Sequence, residues 1–332
     1  MAPKLTIGIG WEGNVDWRGL IDRGKLADEA GIHAIWMAEA WGRDAFTPLA
    51  LLAEHTKRVL LGTNIVNIYS RTPAALAQHF GTLDGLSDGR MLIGLGTSGP
   101  NVIEHFHGIR FGPALRRLEE YIDIMNLLME GTPLKYDGKL FKLQRGFTLR
   151  FETRRKHIPI FVGAIKKKSL EVSARKADGW LPAMVPGSQM KASIAEFRAM
   201  AQAAGRDPKS VQVSASVPIV ITDQPQRARD AHAGFLAFYA GRMGTFYAEQ
   251  LTRFGFGDEV MKIKQGWDAR DPKAAAAAVS RRMLDDMCYC GGVEGARERI
   301  AAHEEAGADL HRVDIAAADG ATFKKAVAAL LK

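Results

Sequence analysis

Five short stretches of the chain end an apolar run in small or polar residues, a pattern that suits the gripping of a ligand at the end of a β-strand. In Phe161-Val-Gly163-Ala164-Ile165-Lys166-Lys167-Lys168, two small residues let backbone approach a phosphate closely. A helix starting near Lys168 would aim unpaired N–H groups the same way, and three lysines add positive charge. Gly96, Thr97, Ser98 and Gly99 close a second run, and Pro182 and Ala183 a third. Glu39 and Trp41 follow a fourth, a carboxylate able to move a proton beside an aromatic wall. In the fifth, Gly62, Thr63 and Asn64 interrupt an apolar run that resumes at Ile65 and Val66, and Arg71-Thr72-Pro73 then opens a helix.

Other arrangements are weaker. Gly8-Ile9-Gly10-Trp11-Glu12-Gly13 matches a dinucleotide fingerprint, with Glu39 as a ribose ligand. The indole of Trp11 would stand where backbone must meet pyrophosphate, and the next helix begins only near Trp17, too late to hold the phosphates. A second match, Gly94 to Gly99, runs into Pro100, which reads as a stop rather than a helix. His105 and His107 have the spacing of a zinc pair, but neither a third ligand nor a strand end accompanies them, so no metal is expected.

The elements that must position these residues alternate along the whole chain. Strands are expected at residues 5–9, 34–37, 59–66, 91–95, 159–162, 180–181, 211–221 and 310–315, with a hairpin turn at Tyr136-Asp137-Gly138-Lys139 within 134–141. Helices are expected at 17–30, 46–56, 73–86, 115–129, 168–177, 189–205 and 294–306. A mostly helical insertion over 227–286 carries a cluster of aromatics. Eight strands separated by helices predict an α/β fold of (β/α)8 TIM-barrel type with insertions, a single domain over 1–332. In such a barrel the five stretches open onto one face and form one cleft.

Bulk composition agrees. The 332 residues are 47% hydrophobic and 25% charged, with no linker-like stretch between halves and no apolar run of membrane-spanning length. The net charge of +8 is spread out and no nucleic-acid-reading motif is present, so an anionic small molecule is the expected partner. Cys288 and Cys290 are read as free thiols, and the protein as cytoplasmic and without a signal peptide.

The segment Leu61-Gly62-Thr63-Asn64-Ile65, followed by Arg71-Thr72-Pro73, resembles the luciferase-like superfamily, in the branch that uses the deazaflavin coenzyme F420 and includes methylene-tetrahydromethanopterin reductases. The resemblance implies a cis peptide at Asn64-Ile65, bulging behind the cofactor ring. It also implies that Gly163-Ala164, with the helix running to Ala177-Asp178-Gly179, binds the cofactor phosphate through its backbone. Met243-Gly244 and Phe246-Tyr247 match a segment near the cleft in some of these reductases. Two departures stand out: Ala40 occupies the place of a frequent histidine, and Ser98-Gly99-Pro100 that of a glutamate in the alcohol-oxidising relatives. Both favour a reductase over an enzyme that oxidises alcohols.

 They fit an enzyme that delivers hydride to an unsaturated, imine-like or carbonyl carbon of a small organic substrate. FMN, as in a luciferase-type monooxygenase, is the alternative cofactor, and a non-catalytic F420-binding protein a further alternative. Relatives commonly pair, so a homodimer is expected. On this reading Glu39 and Trp41 serve catalysis, while Glu39, Thr63, Asn64, Ile65, Gly96, Thr97, Ser98, Gly99, Gly163, Ala164, Ile165, Lys166, Pro182 and Ala183 hold the cofactor.

Overall fold

The computed structural model describes residues 2–9, 13–14 and 16–332, so the Gly8 to Gly13 fingerprint lies partly outside the described residues. The chain forms two compact units. One gathers the described residues of 7–164 and 168–181, the other those of 2–6, 165–167 and 182–332.

The first unit contains most of strand β1 (Leu5–Ile9) and the strands β2 (Ala34–Met37), β3 (Leu60–Thr63), β4 (Val66–Asn67), β5 (Met91–Gly96), β6 (Leu134–Asp137), β7 (Lys142–Phe147), β8 (Ile160–Gly163) and β9 (Gly179–Trp180). Its helices are α1 (Trp17–Ala30), α2 (Phe46–His55), α3 (Pro73–Leu86), α4 (Pro100–His105), α5 (Ala114–Glu130) and nearly all of α6 (Lys167–Lys176). Strands β9, β8, β5, β3 and β2 lie side by side in that order, all parallel, and β4 also pairs with β5. Every residue of β5 is buried, as expected of a parallel strand covered on both faces. Because the strands are parallel, the carboxyl ends of β2, β3, β5 and β8 share one edge.

Local chemistry explains the helix boundaries. Helix α3 starts where Thr72 accepts the Ala75 N–H at 3.1 Å and Pro73 occupies the first turn. Helix α1 stops at Gly31, whose φ of 88° is the left-handed conformation that lets its N–H turn back to the carbonyls of Ala27 and Asp28. Buried charges tie the elements together. The Asp28 carboxylate accepts the N–H groups of Lys57, Arg58 and Val59 at 2.6–3.1 Å. Burial pulls its pKa upward, but those three donors outweigh it and leave it below the usual carboxylate range. Arg90 donates to the carbonyls of Ala53, Thr56, Val59 and Ser87, completing the carboxyl end of α2.

The second unit holds β10 (Gln212–Val213), β11 (Ile219–Ile221), β12 (Tyr289–Gly291) and β13 (His311–Ile315). Leu5 and Thr6 of β1 pair with β13, β13 with β11, and β11 with β12, again in parallel. Its helices are α7 (Gly187–Ala203), α8 (Pro225–Arg242), α9 (Phe246–Arg253), α10 (Gly257–Asp268), α11 (Pro272–Ala277), α12 (Arg281–Met287), α13 (Val293–Glu305) and α14 (Gly320–Leu330). Helices α8 to α12 are the expected insertion, and they bury Leu236, Leu251, Phe256, Ile263 and Met283 in a cluster of their own. Among the described residues no helix is long and apolar enough to cross a membrane.

Four expectations need correction. Residues 211–221 form two short strands, β10 and β11, because Pro218 has no N–H to give to a ladder. Strand β12 lies where no strand was expected. Pro100 starts α4 instead of stopping the chain, its missing N–H being harmless in a first turn. Residues 134–141 are one strand and a turn, with β7 returning beyond them; the Glu120 carboxylate holds that turn through the N–H groups of Lys139, Leu140 and Phe141.

Candidate functional site

The end of β3 is fastened to β5 by one side chain. The buried Thr63 hydroxyl donates to the Gly94 carbonyl at 2.8 Å and accepts the Gly94 N–H at 2.9 Å. The next peptide, Asn64-Ile65, is cis, and pairing with β5 resumes at Val66 opposite Leu95 and Asn67 opposite Gly96. On the other side the Asn64 N–H donates to the Met37 carbonyl at 2.8 Å, and the Ile65 carbonyl accepts the Glu39 N–H at 3.3 Å. The bulge is thus bracketed by β2 and β5.

The Ile65 side chain lies over two glycines. Gly96 and Gly163 are register partners in β5 and β8. A Cβ on Gly96 would come within 2.9 Å of Ile65 Cγ1 and Cδ1, and one on Gly163 within 3.3 Å of Ile65 Cγ2. The room that the sequence suggested for phosphate at Gly163 is therefore partly taken by Ile65. Asn64 is exposed and Ile65 half-buried, so the bulge presents an apolar surface on a glycine floor.

Glu39 is not a free carboxylate. Its side chain is 7% exposed; Arg71 grips both oxygens, at 2.5 and 3.2 Å, and the Ala45 N–H donates to one of them at 2.9 Å. A bidentate guanidinium and a backbone donor leave it the geometry of an anchor. Arg71 in turn lies 4.8 Å above the Phe46 ring, on which His79 stacks at 4.5 Å. Burial, and then the Arg71 charge, push the His79 pKa below its ordinary value. Trp41 is half-buried in the bend after β2.

Beyond β5, Thr97 donates to the Ser98 carbonyl at 3.1 Å, Ser98 turns the chain with φ 54°, and Gly99 precedes α4. This turn brings in a histidine whose position sequence reasoning missed. Asn67 is buried, and its side-chain oxygen accepts the N–H groups of Tyr69 and Ser70 at 2.9 and 2.8 Å. Its amide nitrogen must then face outward, 3.4 Å from Nε2 of His107. An amide nitrogen only donates, so His107 accepts at Nε2 and carries its proton on Nδ1. The local sequence around His107 held no signal of this, because α4 was not foreseen.

At the end of β8 the Ala164 carbonyl accepts the Trp180 indole N–H at 2.9 Å, and α6 begins at Lys167. The first unit brings Glu39, Thr63, Asn64, Ile65, Gly96 and Gly163 into contact with one another or with shared neighbours, with Trp41, Thr97, Ser98, Gly99 and Ala164 on adjoining segments. Ile165, Lys166, Pro182 and Ala183 belong to the second unit. There Lys166 lies 2.8 Å from Glu249 and 4.4 Å above the Phe246 ring, and the Ala183 carbonyl accepts from Gln250 at 3.3 Å. Helix α9, which follows the Met243-Gly244 segment, is thus tied to the chain at both places.

Residues 6–310 match the family described as luciferase-like monooxygenase, and the chain belongs to that family. It is 32% identical to a Mycobacterium tuberculosis protein named as a coenzyme F420-dependent oxidoreductase, over 95% of this chain and 96% of that one. It is 28% identical to the 5,10-methylenetetrahydromethanopterin reductase of Archaeoglobus fulgidus, over 85% of each. The solved coenzyme F420-dependent tetrahydromethanopterin reductase of Methanopyrus kandleri shares the fold, with a TM-score of 0.84 at 20% identity, covering 100% of this chain and 98% of that one.

Proposed function

We propose that this protein is an F420-dependent oxidoreductase, passing hydride between the deazaflavin and a small organic substrate and working as a reductase. The observation that carries the reading is the Ile65 platform: a bulge pinned by Thr63, Met37 and Glu39 that presents one apolar side chain over Gly96 and Gly163. A flat tricyclic ring fits such a surface, and two relatives are named for F420 or for a pterin reductase. The same reading takes the fold as a (β/α)8 barrel of one domain, which the family match over 6–310 supports, and the protein as a cytoplasmic homodimer.

When bound, the deazaflavin supplies the carbon that gives or takes the hydride. Ile65 and Asn64 would support its ring, Thr97, Ser98 and Gly99 would line it, and the backbone of Gly163 and Ala164 would hold its phosphate. Glu39 acts by fixing Arg71 and the bulge, and Trp41 by excluding water. With Ala40 in place of an imidazole, the Nδ1–H of His107, whose tautomer Asn67 sets, would be the hydrogen-bond donor toward the oxygen or nitrogen on which charge develops, the proton itself coming from solvent.

Titration of the purified protein with F420 and with FMN tests the cofactor, and oxygen uptake with each reduced form tests the chemistry. Tight F420 binding and substrate-dependent reoxidation without oxygen uptake are expected; preferential FMN binding with oxygen consumption would overturn the reading. His107→Ala should lower kcat by about 100-fold, the ordinary cost of losing one placed hydrogen-bond donor, with F420 affinity unchanged. A kcat within a factor of two of the parent would remove His107 from the mechanism.

A further inference from the structure

We propose that Cys288 and Cys290 form an oxidation site, in which a hydroperoxide converts Cys290 to a sulfenic acid and Cys288 closes a disulfide with it. The inference is independent of the cofactor reading.

Cys288 ends helix α12 in an extended conformation, φ −155° and ψ 155°, and the chain continues directly into β12. In extended chain, residues two apart share a face, and the two sulfurs lie 4.0 Å apart. The two thiols share one hydrogen bond, in which either sulfur can hold the proton, and Cys288 also lies 3.4 Å from the Leu284 carbonyl. Cys288 is 1% exposed, whereas Cys290 is half-buried and reachable by a small oxidant.

The surroundings give the two thiols different work. Arg229 of α8 reaches across to Asp285 of α12 and acts on both sulfurs as a positive charge. The hydrogen available from Cys288, followed by the Arg229 charge, holds the Cys290 pKa below the usual thiol value despite burial. The same hydrogen bond, with burial, pushes that of Cys288 upward. Cys290 is therefore the nucleophile, and Cys288 the thiol that keeps its proton until the second step.

In the first step the Cys290 thiolate attacks one peroxide oxygen and the O–O bond breaks. Sulfur is oxidised by two electrons, and the departing hydroxide or alkoxide, the reduced product, takes a proton from water. In the second step the Cys288 sulfur attacks the Cys290 sulfur, the S–O bond breaks, and hydroxide leaves as water with the Cys288 proton. An extended strand spaces residues two apart by about 6.6 Å, near the upper end of the span a disulfide allows. Closure therefore needs a slight bend, which a three-residue strand at the end of its sheet path, ending on Gly291 and followed by Gly292, can supply.

The test treats the full-length protein with stoichiometric hydrogen peroxide, quenches with N-ethylmaleimide and reads peptide masses. The expected product is an unalkylated peptide two hydrogens lighter, restored by dithiothreitol. In Cys288→Ser, Cys290 should be trapped by dimedone as the sulfenic acid, and in Cys290→Ser, Cys288 should react about 10-fold more slowly or less. Thermal unfolding of both variants confirms that they fold. Full alkylation of both thiols after peroxide, or over-oxidation of Cys290 with Cys288 present, would overturn the proposal.

Discussion

Gly96→Val is expected to lower the affinity for coenzyme F420 by about 100-fold while leaving the protein folded. The argument is one of available directions. A Cβ at position 96 would meet Ile65 at both Cγ1 and Cδ1, 2.9 Å away, and a β-branched side chain has little rotamer freedom with which to yield. Ile65 must move outward, and because it is half-buried it can do so without opening the core. Overpacking of this size is worth about 1–3 kcal/mol. Felt at a ligand platform, that range reaches about 100-fold in affinity. Gly163→Val, whose Cβ would meet Ile65 only at 3.3 Å, should have the smaller effect. Gly94→Ala is the contrasting control, since its Cβ would overlap the Thr63 carbonyl oxygen and the cost would fall on folding itself. Fluorescence titration with F420, set beside thermal unfolding, separates the cases. If Gly96→Val loses stability in proportion to affinity, the glycines are only packing and Ile65 is no platform.

The parts of this architecture legible in the sequence are those set by local chemistry. Helices α1 and α3 stand where Gly31, Thr72 and Pro73 place their ends, since a cap is decided by the residues adjoining it. The cis peptide at Asn64-Ile65 is legible through family resemblance, and the chain has it. What escaped depends on distant partners. Nothing near Glu39 shows that Arg71, 32 positions on, will take both its oxygens. Nothing near His107 announces Asn67, 40 positions back. Strand β12 has almost no apolar run of its own and exists because β11 offers it a ladder. Nor does the sequence around Gly163 show that a Cβ there would meet Ile65 of another strand, at 3.3 Å.

Mild acid should destabilise this protein steeply, by about 4 kcal/mol per pH unit near pH 5, through three histidines of the second unit, His303 and His311 buried and His232 half-buried. Burial, then the neighbouring His311 and Arg299, push the His303 pKa down to about 3. Burial pushes His311 down to about 4, and burial followed by the Arg312 charge pushes His232 to about 4, against a small opposing pull from the Met287 backbone. His303 and His311 stack with ring centroids 5.9 Å apart, so a proton on one opposes a proton on the other. The carboxylate facing them, Glu304, lies 3.9 Å from His311 and is half exposed, too well hydrated to compensate. In the unfolded chain each histidine takes its proton near pH 6.5. Above that pH both states are neutral there and nothing is lost. Below it only the unfolded state binds protons, so each group removes about 1.4 kcal/mol per unit until the folded pKa is reached. The window is therefore pH 6.5 down to about 4. Asp28, whose folded pKa is lowered, loses its contribution only as pH falls below 3.8, outside that window. His157 acts in the opposite sense: the Asp178 hydrogen bond raises its pKa, so its contribution is present below 6.5 and fades as pH rises through the folded value. Urea unfolding across pH 5–8 reads the slope. The double variant His303→Leu, His311→Leu removes both ring nitrogens of His303 and Nδ1 of His311, which have no hydrogen-bond partner among the described residues, together with Nε2 of His311 beside Glu304. It should match or exceed the parent at pH 8 and retain about one third of the acid slope, carried by His232. An unchanged slope in that variant would place the acid sensitivity elsewhere.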